Sequence, residues 1–222
     1  MNGMKEKLLG IAQAVLTALV IVSGAISLPI LFRQFYYWHI KPLHLNDAVG
    51  LTSEQVKIAF NEMMNFCIGI SDTFSAGVLP FSESGADHFA DVRKLFLLDF
   101  GVLIVAALLL AGVLLLKRKK ILWIAGHTPG FWGAVGVGVT FAGIGGLVAL
   151  DFDRAFVVFH ELFFPGKDNW IFDSRLDPII NMLPEEFFRN SALLILFAIL
   201  LSCGALILLD IHKRKNCTAC NR

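Results

Sequence analysis

Four stretches of this chain are dominated by apolar residues: Leu8–Leu31, Leu95–Leu116, Phe131–Leu150 and Ala192–Leu209. Each is about 20 residues long, the length at which a helix spans the hydrocarbon core of a bilayer. The second carries one ionisable residue, Asp99, and the third carries none. Between them lie two longer segments, roughly 32–94 and 151–190, with a different rhythm. After the Thr52-Ser-Glu-Gln55 pattern, Val56, Phe60 and Met63 recur at helical spacing. Thr at an N-cap with Gln three residues later is a capping box, so 53–66 is predicted as an amphipathic helix on the membrane surface. Phe152, Phe156, Phe159 and Phe163 repeat at the same spacing and should end at Pro165-Gly166. Ser84-Gly-Ala-Asp87 is a candidate helix start leading through His88 into the second span. Pro184-Glu-Glu186 reads as a first helical turn leading into the fourth.

Charge gives the pattern a direction. Lys5 and Lys7 precede the first span, Lys117–Lys120 follow the second, and Lys213, Arg214 and Lys215 follow the fourth. All three clusters fall on one side if the chain starts in the cytoplasm, as the positive-inside bias requires. Both termini are then cytoplasmic, and segments 32–94 and 151–190 lie outside the cell membrane. The first apolar run is longer than the core of a cleaved signal peptide and is read as a retained helix.

Composition agrees. Hydrophobic residues make up 56% of the 222 and charged residues only 17%, against about 25% charged in soluble domains. The expected fold class is an all-α membrane protein with four transmembrane helices and an extracytoplasmic cap of short or interfacial helices. It forms a single integral membrane domain over 1–222. The net charge of +1 offers nothing to nucleic acid, and the basic clusters are topology signals. Six glycines in the third span, Gly133, Gly136, Gly138, Gly143, Gly145 and Gly146, predict close helix packing in lipid or, alternatively, a groove that admits a lipid chain.

Among the six histidines, two sit in the outer segments beside carboxylates: His88 in Ser82-Glu-Ser-Gly-Ala-Asp-His-Phe-Ala-Asp-Val-Arg93, and His160 in Phe156-Val-Val-Phe-His-Glu-Leu-Phe-Phe164. His88 and Asp91, three apart on a helix, share a face, and a carboxylate there can orient an imidazole. An imidazole titrates near neutrality and suits acid–base work. Trp170 fits an interfacial anchor, Asp173, Asp177 and Pro178 read first as turn formers, and Glu83 reads as a helix-start carboxylate. His39 and His44 flank an aromatic stretch, and His127 and His212 fall on the cytoplasmic side. Asp99, inside a span, is a functional candidate by position.

Several constellations are missing. The chain has no Gly-x-Ser-x-Gly elbow, and His160-Glu161 lacks the second histidine of a zinc-binding H-E-x-x-H because position 164 is Phe. Four cysteines do not form a disulfide framework, and Cys217-x-x-Cys220 stands without a second pair, short of the four ligands of a structural zinc. No metal and no cofactor are expected.

The two histidine segments, with Trp170-Ile-Phe-Asp173 and Leu183-Pro-Glu-Glu-Phe-Phe188, resemble the bacterial lipoprotein intramolecular transacylases over essentially the whole chain. The resemblance implies a four-span membrane enzyme acting on a diacylglyceryl-modified lipoprotein among membrane lipids. Such an enzyme moves an acyl chain from the sn-2 position onto the α-amino group of the N-terminal cysteine, leaving a lyso-form lipoprotein. It also implies that His88 and His160 carry the chemistry, with Glu83, Asp91, Arg93, Trp170 and Asp173 as supporting or substrate-binding residues. Two other classes fit the residues alone: a metal-dependent membrane hydrolase using the same histidines as ligands, and a non-enzymatic membrane adaptor.

Overall fold

The structure, a computed structural model, describes residues 2–116 and 122–219; Lys117–Lys120 and Cys220 lie outside the described residues. Among the described residues, eight α-helices and one 3₁₀ turn follow in order: α1 (Asn2–Leu31), α2 (Arg33–His39), α3 (Leu45–Val49), α4 (Ser53–Cys67), α5 (Glu83–Leu116), α6 (Pro129–Leu150), α7 (Phe152–Phe163), the 3₁₀ turn Pro178–Met182, and α8 (Glu185–Ala219). Four of them, α1, α5, α6 and α8, are long and apolar enough to cross a membrane. Their outward side chains, such as Leu108, Leu147 and Leu208, are exposed. That surface would be costly in water and is natural against acyl chains.

Contacts divide the chain into two compact units: Met1–Ile26 with Phe100–Leu147 and Leu194–Arg222, and Ser27–Asp99 with Val148–Leu193. In the first unit, Ile21 and Ala25 of α1, Ala134 and Val137 of α6, and Ile199 and Cys203 of α8 form a buried core. Glycine makes two of these approaches possible. A Cβ at Gly133 would lie 2.5 Å from the Ala14 carbonyl oxygen, and one at Gly145 would lie 2.6 Å from Leu196 Cδ2. Gly136, Gly143 and Gly146 face open space, so only part of the glycine series serves packing. Gly133 and Gly136 also line an apolar cleft with Ala14, Val15, Ala18 and Trp132. In the α5–α6 connection, His127 Nδ1 lies 2.7 Å from the buried Asp210 carboxylate, which also accepts from the Thr128 N–H.

The second unit holds the short helices. α4 starts as the sequence predicts: Thr52 and Gln55 close a capping box. Its apolar face, however, is turned into protein. Val56, Ala59, Phe60 and Met63 are buried, and Phe60 stacks on Tyr36 with ring centroids 3.6 Å apart. The hydroxyl of Tyr36 donates to the Met182 carbonyl. The membrane-surface placement expected from the sequence is thus replaced by a protein partner, since nothing local to 53–66 reveals that Tyr36 of α2 and Phe187 of α8 pack against Phe60. Arg33 and Tyr37 tie α2 to Asn61 and Asn65 on the polar side of α4. Asp99 accepts from the Ser27 hydroxyl at 2.9 Å, which gives this carboxylate a packing partner.

α5 is the element that matters most for the site. It has 34 residues, so it runs for about 51 Å against a hydrocarbon core of about 30 Å. Its first turns therefore extend past the segment 95–116 and carry Glu83, His88, Asp91 and Arg93.

Candidate active site

The start of α5 is fixed by tertiary contacts. Ser82 caps it, accepting from the Gly85 N–H at 2.9 Å. Asp177, 4% exposed, binds Ser82 twice, through its backbone N–H at 2.7 Å and its hydroxyl at 2.6 Å. Gly85 allows this approach, because a Cβ there would lie 2.3 Å from Asp177 Oδ1. The sequence pattern places the helix start near Ser84; the helix starts at Glu83, with Asp177 as its anchor. Helix propensity alone would favour Gly85→Ala by up to about 1 kcal/mol. The overlap with a carboxylate already held at both oxygens dominates. The variant is expected to lose about 1–3 kcal/mol, measurable as a lower melting temperature of the purified protein, with turnover falling alongside.

One turn on, His88 is buried at 6% exposure and faces His160, buried at 8%. Their ring centroids are 6.0 Å apart with planes 28° from parallel. The pair is enclosed by aromatic rings. Phe164 meets His88 edge-on at 5.0 Å and Phe172 at 5.4 Å. Trp170 stacks on His160 at 4.6 Å and Phe156 lies at 4.3 Å. Phe74, from the segment between α4 and α5, stacks on Phe89 at 4.8 Å. That segment is pinned by Glu62, which accepts from Ser75 and from the Gly77 N–H.

His160 Nδ1 lies 2.7 Å from the Phe156 carbonyl oxygen. A carbonyl only accepts, so Nδ1 carries the hydrogen and Nε2 keeps the lone pair in the neutral ring. Burial pushes the His160 imidazole below its ordinary value. This ring is therefore neutral and basic at Nε2 at physiological pH. If it must be neutral to act, kcat should hold as pH falls through about 6.5, the ordinary imidazole value, and decline only below it. An acid limb centred at or above that value would contradict a neutral His160.

The supporting candidates divide. Asp91 is buried beside His88 but does not bond to it. Its oxygens are taken by Lys94 at 2.9 Å, by Lys167, and by Asn169 Nδ2 at 3.3 Å. Sharing a helix face did not decide the pairing, because the loop after α7 supplies competing donors. Trp170 stacks on His160 and donates through Nε1 to the Lys167 carbonyl. Arg93 points elsewhere: it donates to the Ser71 carbonyl at 2.7 Å and lies over the Phe66 ring. The carboxylate of Asp173 is bonded to Arg175, which holds its pKa down near about 2. Glu83 is exposed on the first turn of α5. Lys167 and Asn169 were not singled out in the sequence; only the folded loop brings them to Asp91. His39 is satisfied at both nitrogens, by the Phe35 carbonyl and Asn190.

Covalent alternatives find little support here. Cys67 is buried, and burial pushes its thiol up to about 12, which leaves almost no thiolate at neutral pH. The Ser82 hydroxyl is committed to Asp177. Among the described residues no three His, Cys, Asp or Glu side chains converge as a metal site.

A family model described as lipoprotein intramolecular transacylase Lit matches residues 11–188. The chain belongs to this family. It is an acyltransferase and a membrane-integral protein with four apolar helices. It is similar in structure to the membrane integral lipoprotein intramolecular transacylase Lit from Bacillus cereus. That match has a TM-score of 0.85 at 26% identity and covers 96% of this chain and 99% of that one. Two structures of the same protein with a histidine replaced, by arginine or by alanine, match with a TM-score of 0.78 and 26% identity over 96% of this chain. They are covered over 95% and 97% of their lengths. A search of curated protein sequences gave no match. The all-α, four-span architecture read from the apolar pattern is thus the architecture of the Lit family.

Proposed function

We propose that this Lit family member transfers the sn-2 acyl chain of a diacylglyceryl-modified lipoprotein to the α-amine of its N-terminal cysteine, with His88 and His160 as the reacting pair. The observation that carries the reading is the pair itself: two buried imidazoles 6.0 Å apart inside an aromatic enclosure, one with its basic nitrogen fixed by a backbone carbonyl.

The amine, with a reference pKa near 7.7–8.0, needs little help to lose its proton. Donor ester and acceptor amine share one molecule, so an enzyme that folds the substrate into a near-attack pose gains much of its rate from proximity. The nitrogen adds to the ester carbonyl, a C–N bond forms, and the C–O bond to glycerol breaks. One proton leaves nitrogen and one must reach the glyceryl oxygen. His160 Nε2 takes the first. Burial and the neighbouring His160 lower the His88 imidazole, so His88 is neutral at rest; it takes this proton from His160 across the pair and delivers it to the glyceryl oxygen, which resets the site. Trp170 presents its face to the imidazolium that forms on His160, an interaction that strengthens as charge develops. The polar cleft beside the pair, lined by Asp87, Asp91, Lys94, Lys167, Asp168 and Asn169, gives the peptide following the modified cysteine a place to leave the lipid. The pair lies on the extracytoplasmic side in this reading, with both termini in the cytoplasm, and the basic flanks of the spans support that orientation. Labelling of a cysteine introduced at the exposed Thr73 by an impermeant reagent added outside should succeed, and protection there would overturn the sidedness. Lipoprotein and surrounding lipid are the partners; nucleic acid plays no part.

The test is mass spectrometry of the purified protein with two diacylated lipoproteins, one carrying isotopically labelled acyl chains. Label should move to the amine of its own polypeptide. Its appearance on the other polypeptide would overturn the intramolecular route, and an acyl group trapped on the enzyme would replace it with covalent catalysis.

A further inference from the structure

Two buried polar atoms at the site have no hydrogen-bond partner: His88 Nδ1 and Asn169 Oδ1. Buried polar groups are nearly always paired, and each exception calls for a reason. These two belong to neighbouring side chains that act on one another. The other end of the Asn169 amide faces Asp91 Oδ2 at 3.3 Å. Asp91 is held in turn by Lys94 and Lys167, so it is an ionised carboxylate that can only accept.

That chain of contacts leaves one arrangement. A carboxylate that only accepts must meet the NH₂ of Asn169, not its oxygen. The oxygen is thereby turned toward His88. An amide oxygen also only accepts, so the hydrogen of the neutral His88 ring must sit on Nδ1. The reverse amide orientation would set oxygen against the Asp91 carboxylate and leave both acceptors without a donor.

We propose that Asn169 is a positioning residue for His88: oriented by Asp91, its amide oxygen holds the Nδ1–H tautomer and aims Nε2 at the substrate. The two histidines then share one design by different means. His160 is anchored at Nδ1 by its own helix, through the Phe156 carbonyl, and His88 by a side chain from the loop after α7. His88 has no such carbonyl bond, and Asn169 supplies what its helix does not. It also supports His88 once protonated, since Nδ1–H then faces an oxygen backed by the Asp91 carboxylate.

The proposal rests on the reading of His88 as part of the reacting pair, but its test is separate. Full-length protein labelled with ¹⁵N-histidine is examined by NMR above the imidazole titration range, and the His88 signals are assigned by their loss in His88→Ala. Wild-type His88 should show a protonated Nδ1 and a bare Nε2. Asn169→Ala should shift it toward the Nε2–H tautomer and lower kcat by about 10- to 100-fold, the worth of one hydrogen bond to a charged ring, with KM little changed. Asn169→Gln, which keeps both the acceptor oxygen and the NH₂ that faces Asp91, should restore the Nδ1–H signal. Finding the Nε2–H tautomer in the wild type would overturn the proposal whether or not any variant folds. So would an Asn169→Ala protein with unchanged tautomer and kcat. Full activity in His88→Ala would instead overturn the catalytic role of the pair and leave the tautomer result standing.

Discussion

Replacing His160 by Ala is expected to lower turnover by about 10²–10⁴-fold, the range that acid–base assistance supplies, and His88→Ala should fall in the same range. Both side chains are buried, so the variants leave cavities. His160 hydrogen-bonds to a backbone carbonyl in its own helix, which the helix can spare. His88 makes no closed hydrogen bond at Nδ1. Both variants should therefore fold and insert, as judged by expression in the membrane fraction and by a preserved elution profile. By contrast, Cys67→Ala and Ser84→Ala should retain turnover within a small factor, because neither residue is a nucleophile in this scheme. A loss in Cys67→Ala comparable to that in His160→Ala would point to a covalent route.

The second large effect lies in the substrate. Acetylating the α-amine of the lipoprotein should abolish transfer, because the lone pair is then delocalised into an amide and there is no basic nitrogen to attack the ester. The sn-2 ester remains intact, so an enzyme that merely hydrolysed it would still release fatty acid. Mass spectrometry distinguishes the two: no change in substrate mass supports transfer to the amine, and loss of one acyl chain from the acetylated substrate indicates hydrolysis.

The spans were legible because lipid imposes a one-dimensional rule. A helix must satisfy its own backbone and present apolar residues over a fixed length, and both requirements are written locally. The starts of α4 and α8 and the end of α7 were legible for the same reason, since caps and Pro-Gly breaks act within a few residues. The candidate site was legible in its two histidines, which stand out by type and setting and which the fold brings to 6.0 Å from one another. It was not legible in its supports. Asp91 reads as a partner of His88 at helical spacing, yet Lys94, Lys167 and Asn169 take its oxygens. Asp173 reads as a possible orienting acid but pairs with Arg175 two residues away. Asp177 reads as a turn former but anchors the start of α5 from 95 positions along the chain. Long-range contacts of this kind leave no trace in spacing.

The central claim is that His88 and His160 act as one unit on one substrate. The double variant His88→Ala/His160→Ala tests it most directly, with turnover of a diacylated lipoprotein followed by mass spectrometry beside each single variant. Residues that act as a unit are non-additive, since removing one already disables the step the other serves. The double variant should be about as impaired as the worse single one. A loss equal to the product of the two single losses would mean independent contributions and would contradict the paired mechanism.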